Sequence, residues 1–341
     1  MKIIVDSACN IQYSSFYIYG LNQKYGTSSI TFASKPFHLL PQREACFNFI
    51  VINDEKEIKI TIDYGDFNTL IEAHYQWSDV YGKVNYNRTQ TGKEYTKIIS
   101  LAPSFGIQLW PFGGTLRHCV LNYLKNRFTT PQAVVSIRKF IGKYKRQYLL
   151  RSPISAYEES VYLSNDKYIF SLSSLWQSDD INENDEGVNK YRAEFIRICK
   201  TFTEITFEGG LTPSAYTSEK QRIVFQDVMY SKWMNFDEYL EKTKQSILVF
   251  NTPAYWQCHG WKLGEYLALG KAIISMPLVN DLPIPLEHGK NIHFISSEAE
   301  IESAIRFLLD NVDYRRRLET GAKEYWNKYG TPLQSISMLG L

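Results

Sequence analysis

The residues from Phe250 to Ser275 combine types and spacings that could do chemistry. An apolar, strand-like run from Ser246 to Phe250 leads into a loop, and Gly260 opens a short helix that Gly270 ends as a natural left-handed cap. The first turn of a helix leaves backbone N–H groups unpaired and carries the positive end of the helix dipole. Lys262 adds a full charge there, so the helix start is a ready site for an anion. Glu265 follows five residues after Gly260. A carboxylate at that point can accept two hydroxyl hydrogen bonds from a ribose beside bound phosphates. Phosphate at the helix start and a diol at Glu265 together describe a nucleoside diphosphate. On this reading Glu265 matters for the nucleotide and not for the fold, so alanine there is expected to leave stability nearly unchanged. The plain alternative is a Glu265 that faces solvent on an ordinary amphipathic helix.

Other chemistries lack their signatures. No G-x-G-x-x-G follows the first strand, so a dinucleotide site has no fingerprint. The stretch Gly264 to Lys271 approaches a P-loop but has one residue too many between its glycines and no Ser/Thr. Its Gly-Lys also falls at a helix end rather than a helix start. H-E-x-x-H, G-x-S-x-G and D-x-D are all absent. Cys258 and His259 are adjacent, but a zinc site needs two further ligands at sensible spacing.

The segment resembles the donor-binding signature of GT-B-fold glycosyltransferases, in particular the bacterial group 1 retaining, E-x7-E type. Gln257 stands at the first glutamate, His259 at the aromatic, Gly260 at the glycine and Glu265 at the second glutamate. Ala268 to Ile274 resembles the small-x-glycine tail that leads into the next strand. Asn280 to Pro283 and His288 to Asn291 resemble the turn and strand start that follow. The likeness covers about the last half of the chain. It implies an α/β fold of two Rossmann-like domains facing a cleft, with a sugar nucleotide held by Gln257, His259, Gly260, Trp261, Lys262, Leu263, Gly264 and Glu265. Two features depart from the pattern. Gln257 lacks the charge of the family's first glutamate, though its amide still hydrogen-bonds sugar hydroxyls. Ser173-Ser174-Leu175-Trp176 replaces the usual basic pair for the diphosphate, and Arg192, whose forked guanidinium suits phosphate oxygens, is the substitute. Arg192 and Lys262 would then stabilise the leaving diphosphate, with no metal and no cofactor. His38, His74 and His118 fall in the presumed acceptor domain, each more readily structural than basic.

The elements that must position these residues alternate between strand and helix. Strand patterns lie at Tyr168 to Ser173, Thr203 to Phe207 (ending at Gly209-Gly210), Ile223 to Phe225, Ser246 to Phe250, Ala272 to Ser275 and Asn291 to Ile295. Helical patterns at Tyr191 to Lys200, Asn235 to Lys244 and Trp261 to Leu269 separate them, as βαβ units require. Ser297 to Glu300 reads as a capping box before a helix, and a last helix stops at Gly330-Thr331-Pro332. In the first half, strands are expected at Lys2–Asp6, in a hairpin Phe47–Ile52 and Lys59–Asp63, and at Val80–Val84 and Ile98–Leu101. Helices are expected near Tyr13–Lys24, Phe67–Trp77, Leu116–Arg127 and Gln132–Leu149. Arg151-Ser152-Pro153 is the natural boundary. The expected domains are residues 1–150 on the acceptor side and 151–312 for the donor. A C-terminal helix, 313–341, would pack back toward the first.

The chain has 341 residues, 44% apolar and 22% charged, which excludes disorder, a collagen repeat and a disulfide-stapled miniature. No run approaches a membrane-spanning length, and an acid at Asp6 comes too soon for a signal peptide. Five scattered cysteines without C-x-x-C read as reduced thiols, which places the chain in the cytoplasm. The net charge of +2 hides an asymmetry. Residues 95–157 carry ten basic side chains and no acidic one, so an anionic partner is expected there. Lys139, Lys143, Lys145 and Arg146 share one expected helix with Phe140, Ile141 and Tyr144, which suits peripheral contact with the inner face of the cell membrane. No nucleic-acid motif accompanies the charge. The combined expectation is a metal-independent glycosyltransferase acting from a nucleoside-diphosphate sugar onto a surface-glycan or lipid-linked hydroxyl, retaining by family resemblance. A non-catalytic sugar-nucleotide-binding module and a sugar-nucleotide epimerase of the same fold are the rivals.

Overall fold

The computed structural model describes residues 1–54, 56–92, 94–129, 136–158, 165, 167–176, 183–214 and 217–341. It divides into two compact units. One comprises Met1–Ala156, Asn280–Ile284 and Asn327–Leu341, the other Tyr157–Val279 and Pro285–Trp326. Both are α/β.

The first unit is built on a six-stranded sheet with strands β1 (Lys2–Asp6), β2 (Ile30–Ala33), β3 (Cys46–Asn53), β4 (Lys56–Asp63), β5 (Val80–Lys83) and β6 (Ile98–Ser100), in the order β2-β1-β3-β4-β5-β6. β1 runs parallel to β2, and β4, β5 and β6 run parallel to one another. The sheet is mixed because β3 and β4 form the expected hairpin, with Phe47 opposite Ile62, and β3 therefore lies antiparallel to β1. β2 escaped the sequence reading: it is a four-residue edge strand with one buried side chain, too short for a clear alternation. Two ion pairs, Asp6–Arg43 and Asp63–Lys83, are buried at the carboxyl ends of β1, β4 and β5. Helix Pro332–Ser337 belongs to this unit and packs on helix Ile11–Tyr25, where the Pro332 carbonyl leaves no room for a Cβ at Gly20.

In the second unit, β7 (Tyr168–Ser174) pairs in parallel with β8 (Thr206–Thr212). β9 (Val249–Asn251), β10 (Ile273–Ser275) and β11 (His293–Phe294) form a second parallel group. A bond from Ile247 N to Tyr168 O (2.8 Å) ties the segment entering β9 to the free edge of β7. The chain therefore steps from β7 to β8 on one side and then to β9 on the other. Phe195, Cys199, Phe202, Leu248, Phe250, Ile274, Ile305 and Leu318 fill the core on which the sheets and helices pack.

Three local expectations are corrected. β8 runs through Gly209-Gly210 instead of stopping there, because those glycines let the chain approach its neighbours: a Cβ on Gly209 would lie 1.9 Å from the Ser171 carbonyl oxygen. Ile223 and Val224 end a helix, Glu219–Val224, set by a reciprocal capping box between Ser218 and Gln221, which outweighs their β-branching. Ser297 makes no capping bond; the Glu300 carboxylate accepts instead from Ser296 N (2.9 Å), ahead of helix Ile301–Asp310. Residues 132–135 of the expected basic helix lie outside the described residues; so do 179–182 of the acidic, Asn-rich stretch 179–189 that the sequence suggests is a loop, while its remainder belongs to helix Glu183–Thr201. The described basic helix is Ile137–Leu149. All five cysteines are buried free thiols.

Candidate functional site

In an open parallel sheet, a crevice forms outside the carboxyl ends of the strands where successive connections leave in opposite directions. In the second unit that point lies between β7 and β9, and helix Trp261–Ala268 begins just after β9. Gly260 caps the helix in an extended conformation (φ −70°, ψ 157°) and supplies no side-chain cap, and Leu263 N donates to its carbonyl (3.1 Å), so the positive end of the helix dipole faces the crevice with no capping side chain over it. At the other end Gly270 adopts φ +62°, and the Lys323 ammonium donates to the Ala268 carbonyl (2.5 Å). A cation at the C-terminus is favourable to the helix dipole, as an anion at the N-terminus would be.

Two basic side chains meet at this crevice. Arg192, from helix Glu183–Thr201, donates through Nε to Thr252 Oγ1 (3.0 Å) and through a terminal nitrogen to the Ser174 carbonyl (3.3 Å), bridging the ends of β7 and β9. Lys262 reaches back to β7, where its Nζ donates to the Leu172 carbonyl and to Ser173 Oγ (3.1 Å), and it lies 5.6 Å from the centre of the Tyr239 ring. Burial, helped by the neighbouring Arg192 guanidinium and partly offset by the Glu265 carboxylate, brings the Lys262 pKa down to about 7. Burial also lowers Arg192, to about 10, so it keeps its charge at neutral pH.

Glu265 is buried, which overturns the solvent-facing alternative and also corrects the expectation, made on the ribose reading, that alanine there leaves stability unchanged. It accepts from Tyr239 Oη (3.2 Å). Burial, reinforced by the Glu265 charge, pushes the hydroxyls of Tyr239 and Tyr266 above the ordinary tyrosine range. The structure thus brings Arg192, Lys262 and Glu265 into one electrostatic group. Leu263 and Gly264 are buried within the unit, so any ligand contact from them comes through the first-turn backbone. Trp261 is half-buried at the helix start. Gln257 and His259 stand on the preceding loop, His259 buried and Gln257 half-buried. That loop is strained: Trp256 (φ +53°) and Gln257 (φ +59°) are consecutive non-glycine residues in the left-handed region, each costing about 1–2 kcal/mol. Bonds from Ala254 N to Cys258 O (2.9 Å) and Gln257 N to Ala254 O (3.0 Å) hold it in place.

Tyr239, Thr252 and Ser173 belong to the site and were not expected. Thr252 and Ser173 were within reach of sequence reasoning, since each stands at the carboxyl end of a parallel strand. Tyr239 carries no such mark. Lys271, of the rejected P-loop near miss, donates to the Lys244 carbonyl (2.8 Å), away from the helix start. His74 is held between Asn48 Oδ1 and the Pro41 carbonyl, His118 stacks on Trp110 at 4.1 Å, and His38 engages the Lys35 carbonyl. Among the described residues no three His, Cys, Asp or Glu side chains gather as a metal-binding set.

No protein-family model matches the chain, and no curated protein does. Solved structures do show likenesses. WaaG, a glycosyltransferase involved in lipopolysaccharide biosynthesis, is 10% identical, with a TM-score of 0.40 over 96% of this chain and 94% of its own. TarM of S. aureus, in complex with fondaparinux, alpha-GlcNAc-glycerol and UDP, is 13% identical with a TM-score of 0.41. That match covers 87% of this chain and 62% of TarM. The C-terminal domain of a glycosyl transferase group 1 family protein (LpcC) from Francisella tularensis is 12% identical, with a TM-score of 0.37 over 48% of this chain and 86% of its own. At such identities the chemistry of the site stands on its own residues.

Proposed function

We propose that the chain is a glycosyltransferase that takes a sugar from a nucleoside-diphosphate donor and delivers it to a hydroxyl of a surface-glycan or lipid-linked acceptor on the cytoplasmic side, without a metal ion. The observation that carries this reading is the convergence of Arg192, Lys262 and the uncapped start of helix Trp261–Ala268 on the crevice between β7 and β9, with Glu265 buried one turn further in. As the bond to the donor sugar breaks, charge develops on the departing diphosphate. Preorganised N–H dipoles and two cationic side chains stabilise that charge in a site shielded from water. Glu265 takes the ribose diol, and Gln257 and His259 approach the sugar from the strained loop. Lys262 and Arg192 are the catalytic residues in this scheme. Retention at the anomeric carbon is part of the proposal.

One observation favours a second reading, a module that binds sugar nucleotides without transferring sugar: Gln257, an amide, occupies the turn where a charged partner for the sugar would stand. A thermal-shift screen of nucleotide sugars finds the donor, since a ligand at about 100 times its Kd adds about 2.7 kcal/mol of stability. Slow hydrolysis of that donor by the purified protein supports the transferase; binding without any turnover supports the module. Binding of no nucleotide diphosphate contradicts both.

A further inference from the structure

Helix Phe112–Thr129 is turned inside out. Its buried face is Thr115, Cys119, Asn122 and Asn126, and these are bonded inward: Asn126 to Ser7, Asn122 to Tyr144 Oη (2.9 Å) and Thr115 Oγ1 to the Trp110 carbonyl (3.2 Å). Its outward face carries Phe112, Leu116, Val120, Leu124 and Phe128, a residue every four positions over the whole helix, all exposed. Leu116 is 54% exposed and Phe128 81%. Soluble helices bury the apolar stripe and expose the polar one, and a contiguous exposed apolar stripe marks an interaction surface.

Helix Ile137–Leu149 lies antiparallel beside it, with Phe112 against Tyr148 (5.8 Å) and Tyr123 against Phe140 (5.7 Å). Phe140, Tyr144 and Gln147 face inward, while Ile137, Ile141 and Leu149 are exposed among exposed Arg138, Lys139, Lys145 and Arg146. Lys143, grouped with these cations in the sequence, pairs instead with Glu44 and leaves the outward face. Arg117 and Arg127 are exposed on the first helix. No acidic residue occurs anywhere from 95 to 157, so nothing within this stretch offsets the charge. Among the described residues no helix is long and apolar enough to cross a membrane.

We propose that this helix pair docks on an anionic lipid surface, its apolar stripe sunk to the headgroup–acyl boundary and its cations on the lipid phosphates. An apolar face flanked by Lys and Arg, with acids excluded, is the pattern of a helix that lies in the interface plane. A protein partner would be met as well by mixed charge, whereas uniform positive charge beside exposed apolar rows complements a negative sheet with an oily interior. The inference is independent of the proposed sugar transfer.

The test is co-sedimentation of the full chain with phosphatidylcholine vesicles and with vesicles containing about 30 mol% phosphatidylglycerol, at low and high salt. The parent binds the anionic vesicles and not the neutral ones. Replacing Arg127, Lys145 and Arg146 together by Gln weakens binding on the order of a hundredfold at low salt. The pair Leu116→Ser and Phe128→Ser weakens it about tenfold or more at every salt concentration. Both variants melt with the parent, because the altered side chains are exposed. Equal binding to the two vesicle types, or parent-like binding by the Leu116→Ser and Phe128→Ser variant, overturns the proposal. So does a dimer that this variant dissolves while vesicles leave the parent unbound, since the face is then covered by a second copy.

Discussion

Lys262 and Glu265 are the residues on which the site turns, and each makes a separable prediction. With its pKa near 7, Lys262 is partly neutral at physiological pH. An unfolded lysine holds its proton to about pH 10.4, so between those values the unfolded chain binds the extra proton and this group makes stability rise with pH. Binding runs the other way. A diphosphate beside the ammonium raises its pKa, so binding takes up a proton above pH 7, and affinity falls as pH rises. Calorimetry in two buffers of different ionisation enthalpy should show the uptake in the parent and its loss in Lys262→Met; equal proton counts would remove Lys262 from the phosphate site. For Glu265, alanine takes away the acceptor of the Tyr239 hydroxyl and a buried counter-charge. Glu265→Ala should lower stability by about 1–3 kcal/mol and weaken nucleoside-diphosphate binding by a similar amount. Glu265→Gln should recover most of the stability and less of the binding. Matching affinities in parent and Ala variant would exclude the ribose role. The sequence showed Glu265 at helical spacing behind a glycine start. It did not show Tyr239 bonded to Glu265, or Arg192 bonded to Thr252, because those contacts span 26 and 60 residues and exist only once the sheet forms.

Helix Trp261–Ala268 was legible in the sequence because both its ends are punctuated by glycine. β8 was misread for the opposite reason, since its glycines permit a close approach instead of a stop. At Gly209, with φ +133°, a methyl group would strike the Ser171 carbonyl in β7, one strand that anchors Lys262 and Arg192. Gly209→Ala should therefore cost about 3 kcal/mol or more and weaken nucleotide binding with it. Gly113→Ala is the contrasting case: nothing lies within 4 Å of the added methyl group and the position is helical. It should be neutral or stabilise by up to about 1 kcal/mol. Chemical denaturation of the two variants checks the pair, and similar midpoints would mean that the β7–β8 contact does not hold the site as described. The capping box at Ser218–Gln221 is also written in the sequence, as a Ser followed three residues on by Gln, and it outweighs the strand preference of the β-branched pair Ile223-Val224.

On the scale of the molecule, the alternation of strands and helices announced two α/β units more clearly in the second half than in the first, where a hairpin inverts part of the sheet. Composition could not show that helix Phe112–Thr129 presents its apolar side outward, because periodicity identifies a stripe without saying which way it faces. Proposed sugar transfer makes a demand of the whole protein: charge on the leaving diphosphate is met by Arg192, Lys262 and helix dipoles, so chelator-treated protein should keep most of its rate with any donor it uses. A requirement for added Mg²⁺ or Mn²⁺ would contradict that scheme. The most direct test of the central claim is titration calorimetry of chelator-treated parent, and of a variant carrying Arg192→Gln with Lys262→Gln, against UDP, GDP, ADP and their sugar conjugates. At least one nucleoside diphosphate should bind the parent, and the variant should lose about 2–5 kcal/mol of that affinity, the scale for removing buried charged partners. A parent that binds none of them, or a variant that binds as the parent does, would contradict a diphosphate site between β7 and β9.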